Sequence, residues 1–129
     1  MSRSITIKAE IKSLSILKKV CGILGYKFVE NQKQYIDYYS SKPCSHAIKI
    51  PSARHELGLV QDETTKHKTY NIRGDFDYNG GLPQTVGSNA WKLMQKYEEE
   101  QTKYAAMLNN HICETQILED RTRLTIYVD

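Results

Sequence analysis

The chain has 129 residues, of which 40% are hydrophobic and 26% charged, a balance typical of one soluble globular domain with a real core. The net charge of +3 is too small to indicate a nucleic-acid-binding protein by itself. The three cysteines have no clustered spacing, which argues against a disulfide framework, and no apolar run reaches the ~20 residues that a membrane helix needs. The N-terminus also lacks the apolar core of a signal peptide. We therefore expect a single-domain soluble protein of a reducing intracellular compartment, with no membrane partner.

The first half of the sequence predicts one helix followed by several strands. Residues 4–11 alternate between apolar and polar side chains, which is typical of a half-buried strand. Ser13 is placed to cap a helix, and Gly25 is placed to end it in the left-handed conformation. We expect Pro43 to break the strand pattern, because proline cannot donate to a ladder. The β-prone segments are 26–30, 35–39, 46–50, 56–61 and 69–78.

The stretch 84–111 is the only long helical pattern in the chain. Its apolar residues follow helical spacing and form one stripe: Val86, Ala90, Leu93, Tyr97, Tyr104 and Leu108. The pattern predicts a solvated outer face at Glu98–Glu100 and a helix end at residues 109 and 110, which are both Asn. Two alternating segments, 113–118 and 123–128, then predict a C-terminal hairpin.

This order of elements predicts an α+β fold. The sequence reads β-α-β, then a meander of three or four strands, then a helix and two further strands. The economical arrangement is a mainly antiparallel sheet with two helices packed on one face. The other face is then partly solvated or buried against a partner.

Several segments resemble a known family. The likeness begins with the run from Ile5 to Lys19 and the following Leu24-Gly25-Tyr26. It continues in the central Glu56-Leu-Gly-Leu, the strand Tyr70-Asn-Ile-Arg-Gly-Asp-Phe, Tyr97, and the closing charged hairpin that runs into Arg123-Leu-Thr-Ile-Tyr-Val. These segments resemble a family of unknown function that includes the conserved small open reading frame of algal plastids and cyanobacteria. The chain departs from that family at Ser2-Arg3-Ser4, where a Ser-His-Phe-like tripeptide is typical. The resemblance spans nearly the whole chain and implies a small soluble protein of the cytoplasm or plastid stroma. It carries no assigned reaction and no catalytic residues.

The cysteines and histidines give no clear metal or nucleophile signal. Cys44 and His46 are two residues apart, as are His111 and Cys113. A structural zinc site usually has four ligands in two close pairs at known spacings, so we predict neither a metal nor another cofactor. Cys21 lies on the apolar stripe of the first helix and is interpreted as a core residue.

The best group of carboxylates comprises Asp75 and Asp77, beside Arg73, together with Glu56 and Glu63. Asp75 and Asp77 share a face about 7 Å apart. Such a pair could hold a divalent cation or separate an acid from a base. We favour a solvated face on which Arg73 screens Asp75, because exposed pairs of this kind are common.

The remaining signal is nine tyrosines interleaved with basic residues. Nucleic-acid bases stack on aromatic rings while cations meet phosphates, but tyrosine is also enriched at protein interfaces. A third interpretation is that half of these rings belong to the core. The residues that we predict to contact a partner are Tyr35, Tyr38, Tyr39, His46, Lys49, Arg54, Arg73, Asp75 and Asp77.

We therefore predict a binding or adaptor protein without catalytic activity. It would contact a protein partner, or a second copy of itself, through a tyrosine-rich sheet face. The alternative is a nucleic-acid or nucleotide binder that uses Tyr, Lys and Arg. A third hypothesis is an enzyme in which Asp75 and Asp77 act with a metal ion.

Overall fold

The computed structural model describes residues 3–37, 40–64, 66–108, 111–118 and 121–128, with residues 8 and 9 and the last two ranges described by their backbone alone. Strands and helices occur in separate runs along the chain, as in an α+β fold, which confirms the predicted class. The strands are β1 (Ser4–Ile11), β2 (Lys27–Val29), β3 (Gln34–Ile36), β4 (Ser41–Pro43), β5 (His46–Lys49), β6 (Glu56–Asp62), β7 (Thr69–Asp75), β8 (His111–Leu118) and β9 (Arg121–Val128). The helices are α1 (Leu14–Leu24), α2 (Leu82–Val86) and α3 (Trp91–Leu108).

Five strands form one antiparallel sheet in the order β1-β7-β6-β5-β2. β3 pairs with β4 and β8 pairs with β9, each as a separate two-stranded hairpin. The C-terminal hairpin is therefore confirmed. Buried residues of all three helices pack with Ile48, Leu57 and Ile72 of the sheet in one hydrophobic cluster. The helices thus cover one face of the sheet, as the sequence predicts.

The first helix follows its predicted signals. The Ser13 side chain accepts a hydrogen bond from the backbone N–H of Ile16, so it satisfies one of the donors left open at a helix start. Gly25 ends the helix with φ +80°, a conformation that costs glycine nothing sterically. Cys21 is buried with the apolar stripe, as predicted for a core residue.

The predicted continuous helix over 84–111 is wrong in its first part. The chain instead forms α2, then a 3-10 turn (Ser88–Ala90), and only then α3. The break has a backbone cause, because Gly87, Asn89 and Ala90 all have positive φ angles. Helical spacing persists across the break because Val86 and Ala90 are buried in the same core as α3. The predicted end at residues 109 and 110 lies outside the described residues.

The predicted apolar stripe of the long helix holds only in its first half. Leu93 and Tyr97 are buried, whereas Tyr104 and Leu108 are 53% and 67% exposed. The Tyr97 hydroxyl reaches the start of α1 and accepts hydrogen bonds from two backbone N–H groups there, at 3.1 and 3.2 Å.

The predicted solvated face at Glu98–Glu100 is also partly wrong. Glu98 is exposed, but Glu99 and Glu100 are buried. Lys96 and Lys103 each donate to Oε1 of Glu99 at 3.1 Å. Burial raises the pKa of Glu99, but these two lysines outweigh it and leave the pKa below its usual value. The lysines therefore keep Glu99 charged in a buried position.

The predicted break around Pro43 contains a short strand. β4 pairs antiparallel with β3, and Lys42 lies opposite Tyr35. Proline is tolerated because β4 is an edge strand, with β3 as its one partner in this two-stranded sheet. On the side of β4 without a partner strand, a missing N–H costs no ladder hydrogen bond.

Candidate functional site

The β3–β4 hairpin covers part of the sheet face opposite the helices. The Tyr35 ring lies directly over Gly58 of β6, where a Cβ would come within 2.7 Å of Cε1 and 2.8 Å of Cγ. Leu57 and Leu59, on either side of Gly58, belong to the core on the helix side. Tyr35 is only 4% exposed, so the hairpin is packed onto the sheet. We call this side of the sheet, together with β3 and β4, the hairpin face.

Glu56 fastens the hairpin to the sheet. Its Oε1 accepts hydrogen bonds from the backbone N–H of Ile36 at 2.9 Å and from Nε2 of Gln32 at 3.0 Å. Its Oε2 lies 3.9 Å from Nζ of Lys49, the residue opposite it on β5. The carboxylate is buried but well supplied with donors, which makes its charge tolerable there. It therefore fixes the position of Ile36.

Asp37 closes the turn of the same hairpin. Its Oδ1 accepts from the backbone N–H of Ser40 at 3.0 Å, and its Oδ2 lies 3.2 Å from Nζ of Lys42. The backbone N–H of Asp37 also donates to the carbonyl of Ser40. The side chain is buried. Tyr38 and Tyr39, inside this turn, lie outside the described residues.

His55 and Asp75 form the wall next to the hairpin. Nδ1 of His55 lies 3.0 Å from the backbone oxygen of Asp75. A carbonyl only accepts, so Nδ1 carries the proton, and in the neutral ring Nε2 is the acceptor. The Asp75 carboxylate accepts from the backbone N–H groups of Arg3 at 2.8 Å and Asp77 at 3.0 Å. Asp75 is 0% exposed, so the predicted solvated pair with Arg73 is wrong.

Gly80 holds this wall in place. Its carbonyl accepts from the backbone N–H groups of Arg54 at 2.9 Å and His55 at 3.2 Å. A Cβ at Gly80 would overlap the His55 ring, so the close approach requires glycine. The turn at Asn79-Gly80-Gly81 therefore positions a side chain of the site.

A cleft of about 640 Å³ opens between the hairpin and this wall. Ile36 and Asp37 line one side, and Arg54, His55 and Asn79 line the other. Ile36 is 49% exposed and Arg54 is exposed at the rim. The lining combines an apolar side chain with an acid, a cation, an imidazole and an amide. Such a mixture can contact a ligand through both donors and acceptors.

Neither Cys21 nor Cys44 is an activated nucleophile. Burial raises the pKa of Cys21 to about 12 and that of Cys44 to about 11. Cys44 Sγ donates to the backbone oxygen of Gln32, whereas Nδ1 of His46 accepts from the backbone N–H of Asn31. Cys44 and His46 therefore have separate roles.

The structure gives no support to a metal at the carboxylates. Within the described part of the chain, no three His, Cys, Asp or Glu side chains are placed to hold a metal ion. The Asp75 carboxylate accepts from two backbone N–H groups, and Asp77 accepts from the backbone N–H of Asn79. The side chains of His111 and Cys113 lie outside the description.

The predicted contact residues are partly brought together. Five of them belong to the hairpin face or its wall: Tyr35, Lys49, Arg54, Arg73 and Asp75. Asp77 caps the 3-10 turn (Tyr78–Gly80) beside the cleft. His46 lies elsewhere, because its ring contacts Phe28 and Tyr70, which pack in the core on the helix side.

The sequence interpretation missed Ile36, Asp37, His55 and Asn79 as cleft residues. One signal was present, because Asp is favoured in turns, where its side chain accepts a hydrogen bond from a nearby backbone N–H. It marks the turn of the hairpin but not what the turn packs against. The other three residues carry no local signal for the cleft, because only contacts between distant parts of the chain bring them together.

No protein-family model, curated protein or solved structure matches the chain. Among the described residues, no helix is both long enough and apolar enough to cross a membrane. The geometry of the hairpin face therefore supplies the support for a function.

Proposed function

We propose that this protein is a binding or adaptor protein without catalytic activity, and that its cleft holds a segment of a protein partner. The observation that carries the proposal is the cleft itself, with an exposed isoleucine and an exposed arginine at its rim. An apolar anchor beside arginine is a common composition at the centre of protein interfaces. Glu56 and Asp37 hold the hairpin wall in position before binding, which lowers the entropy cost of association.

Binding is favoured over catalysis by the state of the reactive groups. The thiols of Cys21 and Cys44 have raised pKa values, so they are poor nucleophiles at neutral pH. The Asp75 carboxylate is directed at backbone amides rather than at the cleft. These groups stabilise the wall, which supports a scaffold role.

A protein partner is favoured over nucleic acid by the burial of two predicted platform tyrosines, Tyr35 and Tyr70. Tyr35 and Tyr70 are both buried, so neither ring presents a face on which a base could stack. The nucleic-acid alternative then rests on the exposed basic side chains and on Tyr78, which is 70% exposed. It is tested by gel-shift binding at two salt concentrations, because phosphate contacts give a steep salt dependence.

The experiment is affinity purification from the native host followed by mass spectrometry, with matched variants. Ile36→Glu places a charge at the cleft rim, and Ile23→Glu places one at an equally exposed position of α1 (49% against 50%). We expect the wild type and Ile23→Glu to retain the same partner and Ile36→Glu to lose it. Retention by Ile36→Glu, with loss by Ile23→Glu, would move the interface to the helix side and overturn the proposal.

Self-association is the second form of the same proposal, in which the partner is another copy of the chain. Sedimentation velocity of the purified protein at rising concentration tests it. A mass above 14.9 kDa that disappears in Ile36→Glu would support it.

Membership of the plastid and cyanobacterial family is likewise a proposal. A structure of a member with the sheet order β1-β7-β6-β5-β2 and a hairpin packed on the helix-free face would support it. A member with a different strand order would refute it.

A further inference from the structure

On the hairpin face, the basic side chains are more exposed to solvent than the acidic ones. Of the four acids around the hairpin and its wall, Asp37, Glu56 and Asp75 are buried and Asp77 is half-buried. The cations of the same region are all exposed: Lys27, Lys42, Lys49, Arg54 and Arg73. Asp62 lies on the same face but at the far end of β6, where it bonds to Thr64. The surface that this region presents to solvent is therefore basic, although the whole chain is nearly balanced in charge.

Two of these cations neutralise the buried acids, and three do not. Lys42 pairs with Asp37 and Lys49 pairs with Glu56. Within the described residues, Lys27, Arg54 and Arg73 form no ion pair. Lys27 lies directly opposite Lys49 on the neighbouring strand, which places two like charges side by side. Like charges at this position are unfavourable in the unbound protein and are relieved by an anionic ligand.

Both arginines lie close to the hairpin. Arg54 is at the rim of the cleft, next to the wall formed by His55. Arg73 lies opposite Gly58, the residue covered by Tyr35. Burial and the nearby Asp37 raise the pKa of Tyr35 whereas Arg73 lowers it, which agrees with a guanidinium close to that ring. Guanidinium groups bind carboxylates through two parallel hydrogen bonds, so each can hold one acidic side chain.

We propose that the hairpin face recognises an acidic segment of its protein partner, with carboxylates at Arg54 and Arg73 and an apolar residue against Ile36. This inference rests on the proposed function and names the chemistry of the partner. An acidic peptide fits better than nucleic acid, because the region offers charge and an aliphatic contact while Tyr35 is covered. Lys27 and Lys49 extend the basic surface along the sheet and favour a segment with several carboxylates.

The test is fluorescence anisotropy with the full-length protein and labelled synthetic peptides. One peptide alternates Glu and Leu, and its partner replaces each Glu by Gln. We expect the acidic peptide to bind at least about tenfold more tightly than the amide peptide, with an affinity that falls as salt rises. The double variant Arg54→Glu and Arg73→Glu should lose at least about tenfold of that affinity.

A charge-matched control separates recognition from general attraction. The double variant Lys66→Glu and Lys92→Glu changes two exposed cations away from the hairpin face and alters the net charge equally. We expect it to bind the acidic peptide within about twofold of the wild type, because the altered charges are remote from the site. An equal loss in both double variants would overturn the inference. Circular dichroism melts of each variant check that the fold is intact.

The remaining outcomes distinguish the inference from the function it rests on. If the acidic and amide peptides bind equally, while Ile36→Glu still loses its co-purified partner, acidic recognition is wrong and the proposed function stands. If neither peptide binds and Ile36→Glu keeps the partner, both are wrong. If a single-stranded oligonucleotide binds more tightly than the acidic peptide and is lost in the Arg54 and Arg73 variant, the partner is nucleic acid and the inference is refuted.

Discussion

Replacing Gly58 by alanine should detach the β3–β4 hairpin from the sheet. The new Cβ would overlap the Tyr35 ring, whose Cε1 and Cγ atoms would lie 2.7 and 2.8 Å away. The neighbour is a rigid ring in a packed site rather than the end of a flexible chain. Since Leu57 and Leu59 hold β6 in the core, the hairpin must move rather than the strand.

The cost follows from what Tyr35 loses. An aromatic side chain buries on the order of 150 Å², which at ~25 cal/mol per Å² corresponds to ~4 kcal/mol if the ring is fully re-exposed. Partial accommodation by a shifted backbone costs about 1–3 kcal/mol, the usual range for an overpacked site. We therefore expect Gly58→Ala to lower the free energy of unfolding by about 2–4 kcal/mol.

Urea denaturation followed by circular dichroism measures this loss. Gly22→Ala is the control, because nothing lies within 4 Å of a Cβ built at that exposed helix position. It should stabilise the protein by up to about 1 kcal/mol through helix propensity. In a Tyr35→Ala background the Gly58→Ala change should cost much less than it does alone. A loss below about 1 kcal/mol in the wild-type background would refute the packing argument.

Three further predictions concern single side chains. Tyr97→Phe should cost about 1–3 kcal/mol in urea denaturation, because two backbone N–H groups before α1 lose their acceptor. Burial lowers the pKa of His46 from 6.5. As pH falls, His46 is therefore protonated at a higher pH in the unfolded chain than in the folded protein. The free energy of unfolding should therefore fall as pH drops below about 6.5, and His46→Gln should reduce this slope. The native thiols of Cys21 and Cys44, with pKa values raised to about 12 and about 11, should resist iodoacetamide at pH ~8 and react after unfolding in urea.

Each of these has an outcome that contradicts it. An unchanged urea midpoint in Tyr97→Phe would mean that water replaces the hydroxyl at the start of α1. A pH dependence of stability identical in the wild type and His46→Gln would show that other groups cause it. Rapid alkylation of Cys44 in the native protein, measured by mass spectrometry of the peptide that contains it, would show that the thiol has a lower pKa than its burial implies.

Local rules explain the parts of the fold that the sequence predicts. Alternation identifies β1 and the C-terminal hairpin, and the caps Ser13 and Gly25 bound α1. These signals involve residues close in the chain, so they are visible without tertiary contacts. The α+β class follows from their order.

The parts that the sequence does not predict depend on distant partners. Asp75 is buried because the backbone N–H of Arg3, 72 residues away, supplies a hydrogen bond. Glu56 is buried because Ile36, 20 residues away, does the same. Composition alone places such carboxylates on the surface, since acids are rarely buried unless paired. The cleft could not be predicted for the same reason.

The ends of the sheet restrict how another chain can attach. The outer strand β1 changes register between Ile7 and Ile11, where Glu10 has φ +49°. The opposite outer strand β2 has three residues, and β4 of the hairpin contains Pro43. Irregular, short or proline-bearing edges are poor templates for adding a strand from another molecule. These edges therefore discourage edge-to-edge aggregation, and the partner proposed for the hairpin face would be selected by side chains rather than by backbone pairing.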